Sequence, residues 1–161
     1  MKAIVAMAEN RAIGRNNKLP WLPIKEDLQF FREITLNGIV VVGSKTSIDL
    51  PPLPKRKLLV LTRSKINDSF WDPIKDQTIC YTNFETILEV DKIQKGQVIV
   101  AGGAKTYELF LPYITEFYVT YINDNNEYDA DVFMCNFEHL FPNRRLVREL
   151  SGGHTIVKYF K

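Results

Sequence analysis

Two short stretches of this chain, Ile39-Val40-Val41-Val42 and Val98-Ile99-Val100-Ala101, are apolar at every position. A strand with one face in water alternates polar and apolar residues, so a strand that is apolar on both faces has to be covered on both. The usual solution is a mostly parallel sheet with helices packed on each side. Short β-branched runs at Lys2–Ala8, Ile39–Val42, Leu58–Thr62, Thr78–Tyr81, Val98–Ala101 and Phe117–Ile122 alternate with helical patterns at Ile24–Leu36, Lys45–Leu50, Phe84–Val90 and Ala104–Leu111. After Leu111 strand follows strand. Phe117–Ile122, Asp131–Met134, Leu146–Leu150 and Thr155–Phe160 suggest an antiparallel edge, with Ser151-Gly152-Gly153 as a turn. No repeat or linker divides the chain, so residues 1–161 are expected to form a single domain. The expected fold is α/β, in three layers, with a central mixed, mostly parallel sheet of about eight strands and helices on both faces.

Composition narrows the function classes. A net charge of +2, with no basic patch interleaved with aromatics, argues against a nucleic-acid binder. The two cysteines, Cys80 and Cys135, and the two histidines show no metal-ligand spacing, so neither a metal site nor a disulfide framework is expected. The N-terminal Lys2–Ala8 run lacks a signal-peptide pattern, and no apolar run approaches the length of a membrane span. A monomer in the cytoplasm, without a membrane or nucleic-acid partner, is the simplest expectation.

Asp27 disturbs an otherwise ordinary helix. At the helical repeat Ile24, Phe30, Phe31 and Ile34 project within about 60° of it, while Lys25, Glu26, Gln29, Arg32 and Glu33 fall outside that sector. An ionised carboxylate on an oily stripe is costly unless paired, and no cation of the same helix shares the stripe. Either a ligand supplies the partner, or Asp27 is a misplaced surface residue.

Two strand ends carry a different signal. Val42 runs into Gly43-Ser44-Lys45-Thr46, and Ala101 runs into Gly102-Gly103-Ala104-Lys105-Thr106. A glycine at such a junction permits close backbone approach, and the amides and dipole of a helix start attract anions. Neither turn is a Walker loop or a Gly-x-Gly-x-x-Gly fingerprint, and each alone could be a plain chain reversal. As a pair they could hold the two ends of a pyrophosphate. Leu61-Thr62-Arg63-Ser64 ends another strand with a guanidinium that could stack on an adenine or pair with a phosphate.

In order and spacing these residues resemble dihydrofolate reductases over nearly the whole chain. The matching stretches are Ile13-Gly14, Leu19-Pro20-Trp21, the Asp27-Leu28-x-x-Phe31 helix, Thr35 and Gly43-x-x-Thr46. They continue with Leu53-Pro54-x-Arg56, Val100-Ala101-Gly102-Gly103, Tyr107, Phe110-Leu111-Pro112, Thr120 and Asp131-Val132-Phe133. The resemblance implies hydride transfer from NADPH to C6 of dihydrofolate, with protonation at N5. It implies that Asp27 accepts hydrogen bonds from the pterin, supported by the Thr120 hydroxyl, and that Leu19 and Trp21 belong to the catalytic positions. Ile4, Val5, Ala6, Leu28, Phe31 and Ala101 would wall the pterin, Leu50 and Leu53 would contact the benzoyl portion, and Arg56 would pair with the glutamate α-carboxylate. Without the resemblance, Arg56 reads as part of the solvated Lys55-Arg56-Lys57 run.

For NADPH the implied residues are Ala6, Ile13, Gly14, Gly43, Ser44, Lys45, Thr46, Leu61, Thr62 and Arg63, together with Ala101, Gly102, Gly103, Ala104, Lys105, Thr106 and Tyr107. The resemblance also implies a mobile loop over Glu9–Leu22 and a cis Gly102–Gly103 peptide. Trp21 could equally be a core anchor, and Tyr107 plain helix core.

Some positions depart from the family pattern. Ser44 stands where Arg or Lys often faces the adenosine 2′-phosphate, with Arg63 and Lys45 able to compensate. Ser47 replaces an aromatic after Thr46, Asp49 adds an acid near the expected tail site, and Leu50-Pro51-Pro52-Leu53 is one residue short of common bacterial forms. A rival with the same fold, the reductase of the deaminated ribosylamino-pyrimidine in riboflavin synthesis, should lack both the Trp21–Asp27 spacing and Leu53-Pro54-x-Arg56. A binding module that keeps the scaffold without turnover is the rival from another class.

Overall fold

The structure, a computed structural model, describes residues 1–63 and 68–161. Its strands are β1 (Lys2–Ala8), β2 (Ala12–Gly14), β3 (Ile39–Gly43), β4 (Lys57–Leu61), β5 (Asp68–Asp72), β6 (Gln77–Thr82), β7 (Val98–Val100), β8 (Glu116–Ile122), β9 (Val132–Phe133), β10 (Asn143–Glu149) and β11 (Thr155–Phe160). The helices are α1 (Lys25–Thr35), α2 (Ser44–Ile48), α3 (Phe84–Ile93) and α4 (Ala104–Phe110). Nine strands make the main sheet, in the order β10-β11-β8-β1-β7-β3-β4-β6-β5. From β8 through β6 neighbouring strands run parallel. Antiparallel pairs close each edge: β8 with β11 and β11 with β10 at one end, β6 with β5 at the other.

The alternation of side chains explains the two helical layers. Ala3, Val5 and Met7 of β1, with Val41 and Val100, join Ile87, Tyr107 and Phe110 of α3 and α4 on one face. On the other face Ile4, Ile99 and Ile156 meet Phe30, Phe31 and Ile34 of α1. Beside them Val40, Val42, Leu58 and Val60 lie under Leu50 and Leu53. The fully apolar strands are therefore buried from both sides, which is the pattern that their composition requires.

Two expectations need correction, and the sheet expected to have about eight strands gains one edge strand that the sequence did not suggest. The main sheet has nine strands, because Asp68-Ser69-Phe70-Trp71-Asp72 adds an edge strand that is almost wholly exposed and carries an acid at each end. Asp131–Met134 does not join the antiparallel edge. It contributes only Val132 and Phe133, paired with Ala12 and Gly14 in a separate two-stranded sheet. The strand expected at Leu146–Leu150 begins at Asn143 and is irregular between Leu146 and Arg148, and every residue in it is exposed, so no core face imposes an alternation.

The order of strands also places the cleft. Chain progression from β1 goes to β3 on one side, whereas β8 pairs with β1 on the other. In open parallel sheets, ligands bind beyond the carboxyl ends of strands where the order reverses in this way.

Candidate active site

Asp27 lies in the first turn of α1, whose N-cap Ile24 offers no side-chain cap. An acid is favoured there by the exposed amides and the helix dipole. Its residue is only 9% exposed, and the Thr120 hydroxyl of β8 donates to Oδ1 at 2.6 Å. Among the described residues Asp27 enters no ion pair. Burial pushes the carboxyl above the ordinary aspartate range, opposed by the Thr120 hydrogen bond and by His154 nearby. Asp27 is therefore a buried acid on the wall of a cavity and not a stray surface residue.

That cavity is a cleft of roughly 2690 Å³, open to solvent, between α1, the ends of β3, β4 and β7, and the 9–22 loop. Every site residue anticipated from the sequence among the described residues lines it, except Thr120, which stands behind Asp27. Ser64, at the end of the Leu61–Ser64 element, lies outside the described residues. Ile4, Val5, Ala6, Phe31 and Ala101 line the same cleft as Asp27, while Leu28 is turned half outward at 48% exposure.

The two glycine turns interlock. Gly43 N donates to Gly102 O at 2.9 Å, and the Gly102–Gly103 peptide is cis, with Gly102 at φ +126°. A Cβ on Gly43 would sit 2.7 Å from Thr106 Oγ1, and one on Gly103 would sit 3.1 Å from Thr46 Oγ1. Each turn reads Gly-x-Lys-Thr, and the threonine of each packs against the glycine of the other. Neither helix start has a side-chain cap, so the first amides of α2 and α4 remain without a side-chain acceptor. Two bare helix starts joined by glycine backbone, with Lys45 and Lys105 beside them, fit a bridging diphosphate. Tyr107 anchors this corner: its buried hydroxyl donates to Ile4 O at 2.6 Å, and burial pushes the phenol far above its ordinary value.

At the far end of the cleft, Arg56 is 7% exposed and so is not part of a solvated run, although Lys55 and Lys57 on either side are exposed. Its Nη1 donates to Thr35 Oγ1 at 3.1 Å, and its Nε donates to Pro54 O at 3.1 Å. Thr35 in turn donates to Phe31 O at 2.7 Å. Burial, with Arg32 nearby, pulls the guanidinium below its ordinary value. No carboxylate among the described residues pairs with Arg56.

The 9–22 segment lines the cleft through Ile13, Gly14 and residues 17–22. Asn16 and Asn17 hold positive φ, and the loop is tied to the segment after β8: Asn16 N donates to Asp131 Oδ2 at 3.1 Å and Asp131 N to Gly14 O at 3.0 Å. Trp21 is buried, and its Nε1 has no partner among the described residues. Arg32, Asp124, Asn126, Tyr128 and His154 also line the cleft and were not anticipated. The stretch Asn123–Tyr128 is polar and without periodicity, so nothing in it distinguishes a cleft wall from a plain loop. Among the described residues no helix is long and apolar enough to cross a membrane, and no cluster of three or more His, Cys, Asp or Glu is placed to hold a metal.

Comparison with known proteins agrees with this geometry. The family model for dihydrofolate reductase matches residues 1–145. The dihydrofolate reductase of Mycoplasma pneumoniae is 33% identical over 170 residues, covering 99% of this chain and 96% of the relative. That of Neisseria gonorrhoeae is 30% identical over 166 residues, covering 97% and 94%. A solved dihydrofolate reductase from Enterococcus faecalis, complexed with NADP(H) and RAB-propyl, shares the fold at a TM-score of 0.75 and 24% identity, covering 99% of this chain and 94% of that one. With a family match over most of its length and relatives aligned almost end to end, the chain belongs to the dihydrofolate reductase family of oxidoreductases.

Proposed function

We propose that this protein reduces 7,8-dihydrofolate to 5,6,7,8-tetrahydrofolate with NADPH, by hydride transfer to C6 and protonation at N5, in support of one-carbon metabolism. The observation that carries the proposal is Asp27, a buried carboxylate on the cleft wall whose only hydrogen-bond donor among the described residues is the Thr120 hydroxyl. A pterin presents two parallel donors, its 2-amino group and N3, and a carboxylate offers two parallel acceptors to match. Ile4, Val5, Ala6, Leu28, Phe31 and Ala101 supply apolar walls for the ring. Arg56, buried and without a carboxylate partner among the described residues, suits the α-carboxylate of the glutamate tail beyond Leu50 and Leu53.

When bound, NADPH supplies the hydride. Gly43–Thr46 and Gly102–Thr106 would hold its diphosphate, with Lys45 and Arg63 near the adenosine side where Ser44 brings no charge. Ala6, Ile13, Gly14, Leu61, Thr62 and Tyr107 complete the cofactor contacts. Asp27 acts on the proton step as a fixed negative charge. It holds the pterin and favours a cation at N5, with water delivering the proton. Leu19 and Trp21 shield the reacting atoms from bulk water, which strengthens that electrostatic effect. The same reading takes residues 1–161 as one domain working as a cytoplasmic monomer.

Mixing the protein with dihydrofolate and NADPH should give a loss of the NADPH absorbance that requires both compounds. No loss above the protein-free rate would refute the proposal. Initial rates should be higher with NADPH than with NADH, and the reverse order would remove Arg63 and Lys45 from the phosphate site.

A further inference from the structure

Arg56 follows a stretch that has almost no means of holding itself. In Pro51-Pro52-Leu53-Pro54 three residues are proline and lack an N–H, so the Leu53 amide is the only backbone donor there. That donor does not enter the sheet. Leu53 N donates to the side-chain Oε1 of Gln77 at 2.7 Å, in a buried contact. Gln77 is 2% exposed and opens β6, a strand paired with β4 on one side and β5 on the other. The turn before it is closed by Asp72, whose Oδ1 accepts from Ile74 N at 3.0 Å and from Lys75 N at 3.1 Å. In the same turn Asp76 O accepts from Lys55 N at 3.2 Å. One side of the contact is therefore built on the sheet, and the other is a loop.

From Leu53 the contacts continue toward the cleft. Pro54 presents its carbonyl to Arg56 Nε at 3.1 Å, and Arg56 Nη1 donates to Thr35 Oγ1 at 3.1 Å. The guanidinium is thus held at two points, one on α1 and one on the proline stretch. The second point is only as fixed as the Leu53-Pro54 backbone. The Leu53 side chain belongs to the apolar cluster of Val40, Val42, Leu58, Val60 and Ile79, but apolar contact has no direction and leaves the peptide plane free to tilt. A hydrogen bond to the one amide of the stretch sets that plane.

We propose that Gln77 is a positioning residue: by holding the Leu53 amide it sets the Pro54 carbonyl, and through that carbonyl the direction in which the Arg56 guanidinium faces the cleft. The consequence is affinity for a ligand carboxylate at Arg56, because a two-pronged match between guanidinium and carboxylate tolerates little rotation. That this carboxylate is the glutamate tail rests on the reductase reading; the chain of hydrogen bonds from Gln77 to Arg56 does not.

Gln77→Met keeps the length and bulk of the side chain and removes the amide acceptor. In the reductase assay it should raise KM for dihydrofolate about tenfold and leave kcat within about twofold of the parent. Dihydropteroate keeps the pterin and benzoyl groups but has no glutamate, so its KM should stay within about twofold in the same variant. In an Arg56→Ala background Gln77→Met should add nothing further. In the ligand-free protein, hydrogen exchange at Arg56 Nε, followed by heteronuclear NMR, should become several-fold faster in Gln77→Met.

An equal rise in KM for both substrates would place the effect on the apolar wall at Leu53 and overturn the link to Arg56, as would additivity with Arg56→Ala. A lower Tm with KM and exchange unchanged would leave Gln77 a purely structural role and overturn the proposal. If Gln77→Met does not fold, Gln77→Asn, whose acceptor is withdrawn by one carbon, is read by the same measurements. If the parent protein reduces no dihydrofolate, the proposed function fails, and the exchange series still decides whether Gln77 holds Arg56.

Discussion

The two ends of the cleft each hold one buried ion, opposite in sign, and each ion leans on a threonine. Thr120 donates to the Asp27 carboxylate, whereas Thr35 accepts from the Arg56 guanidinium and its own hydroxyl donates to Phe31 O. Neither ion has a charged partner among the described residues. In both cases burial disfavours the charged form, raising the pKa of Asp27 and lowering that of Arg56. The consequences differ because a carboxylate whose pKa is raised can take up a proton as pH falls, while a guanidinium stays charged. The acid end should therefore respond to pH and the basic end should not. A ligand with paired donors at one end and a carboxylate at the other relieves both costs together.

The largest expected effect comes from removing the acid. Asp27→Asn should lower kcat/KM for dihydrofolate by about a hundredfold or more at pH 7, with NADPH affinity nearly unchanged. Retained activity in steady-state assays would remove Asp27 from the electrostatic role. Arg56→Ala should raise KM for dihydrofolate by about 10- to 100-fold, the range for losing a charged hydrogen-bonded partner, and change kcat less. An unaltered KM would break the symmetry between the two ends.

The pH response tests the asymmetry more finely. As pH falls, kcat/KM should decline through the raised pKa of Asp27, so its acid limb should lie above the ordinary aspartate range. Thr120→Val removes a hydrogen bond that favours the ionised form and should move this limb to higher pH. A limb that stays in place would assign it to another group. The smallest effect is on stability. In the ligand-free protein the raised pKa of Asp27 costs stability as pH rises from the ordinary carboxylate range through the folded value. Asp27→Asn should raise Tm by roughly 2–4 °C at pH 7, with the gain vanishing at low pH. Thermal melts across pH would show whether the gain is constant, which would detach it from ionisation.

Much of this was legible because the sequence breaks its own pattern at the relevant places. Asp27 is conspicuous only because Ile24, Phe30 and Phe31 surround it, and the glycine turns stand out because fully apolar strands run into them. The sheet centre could be read because burial on both faces leaves no polar residue to confuse the period. The failures lie where burial is absent. β5 and β10 are edge strands without a covered face, and β9 is too short to have a period. Arg56 needed its neighbours, since composition alone places it among Lys55 and Lys57. Tyr128 and His154 reach the cleft only through the path of an irregular loop, which depends on contacts distant in sequence.

The interlocked turns have a consequence for inheritance. Because a Cβ at position 43 meets the Thr106 hydroxyl, and one at 103 meets that of Thr46, the residue tolerated at each place depends on its counterpart. β-branched threonine has few rotamers with which to step aside. Among descendants of this chain, 43 with 106 and 46 with 103 should drift as pairs, and a graft that exchanges one turn alone should carry a penalty that exchanging both removes.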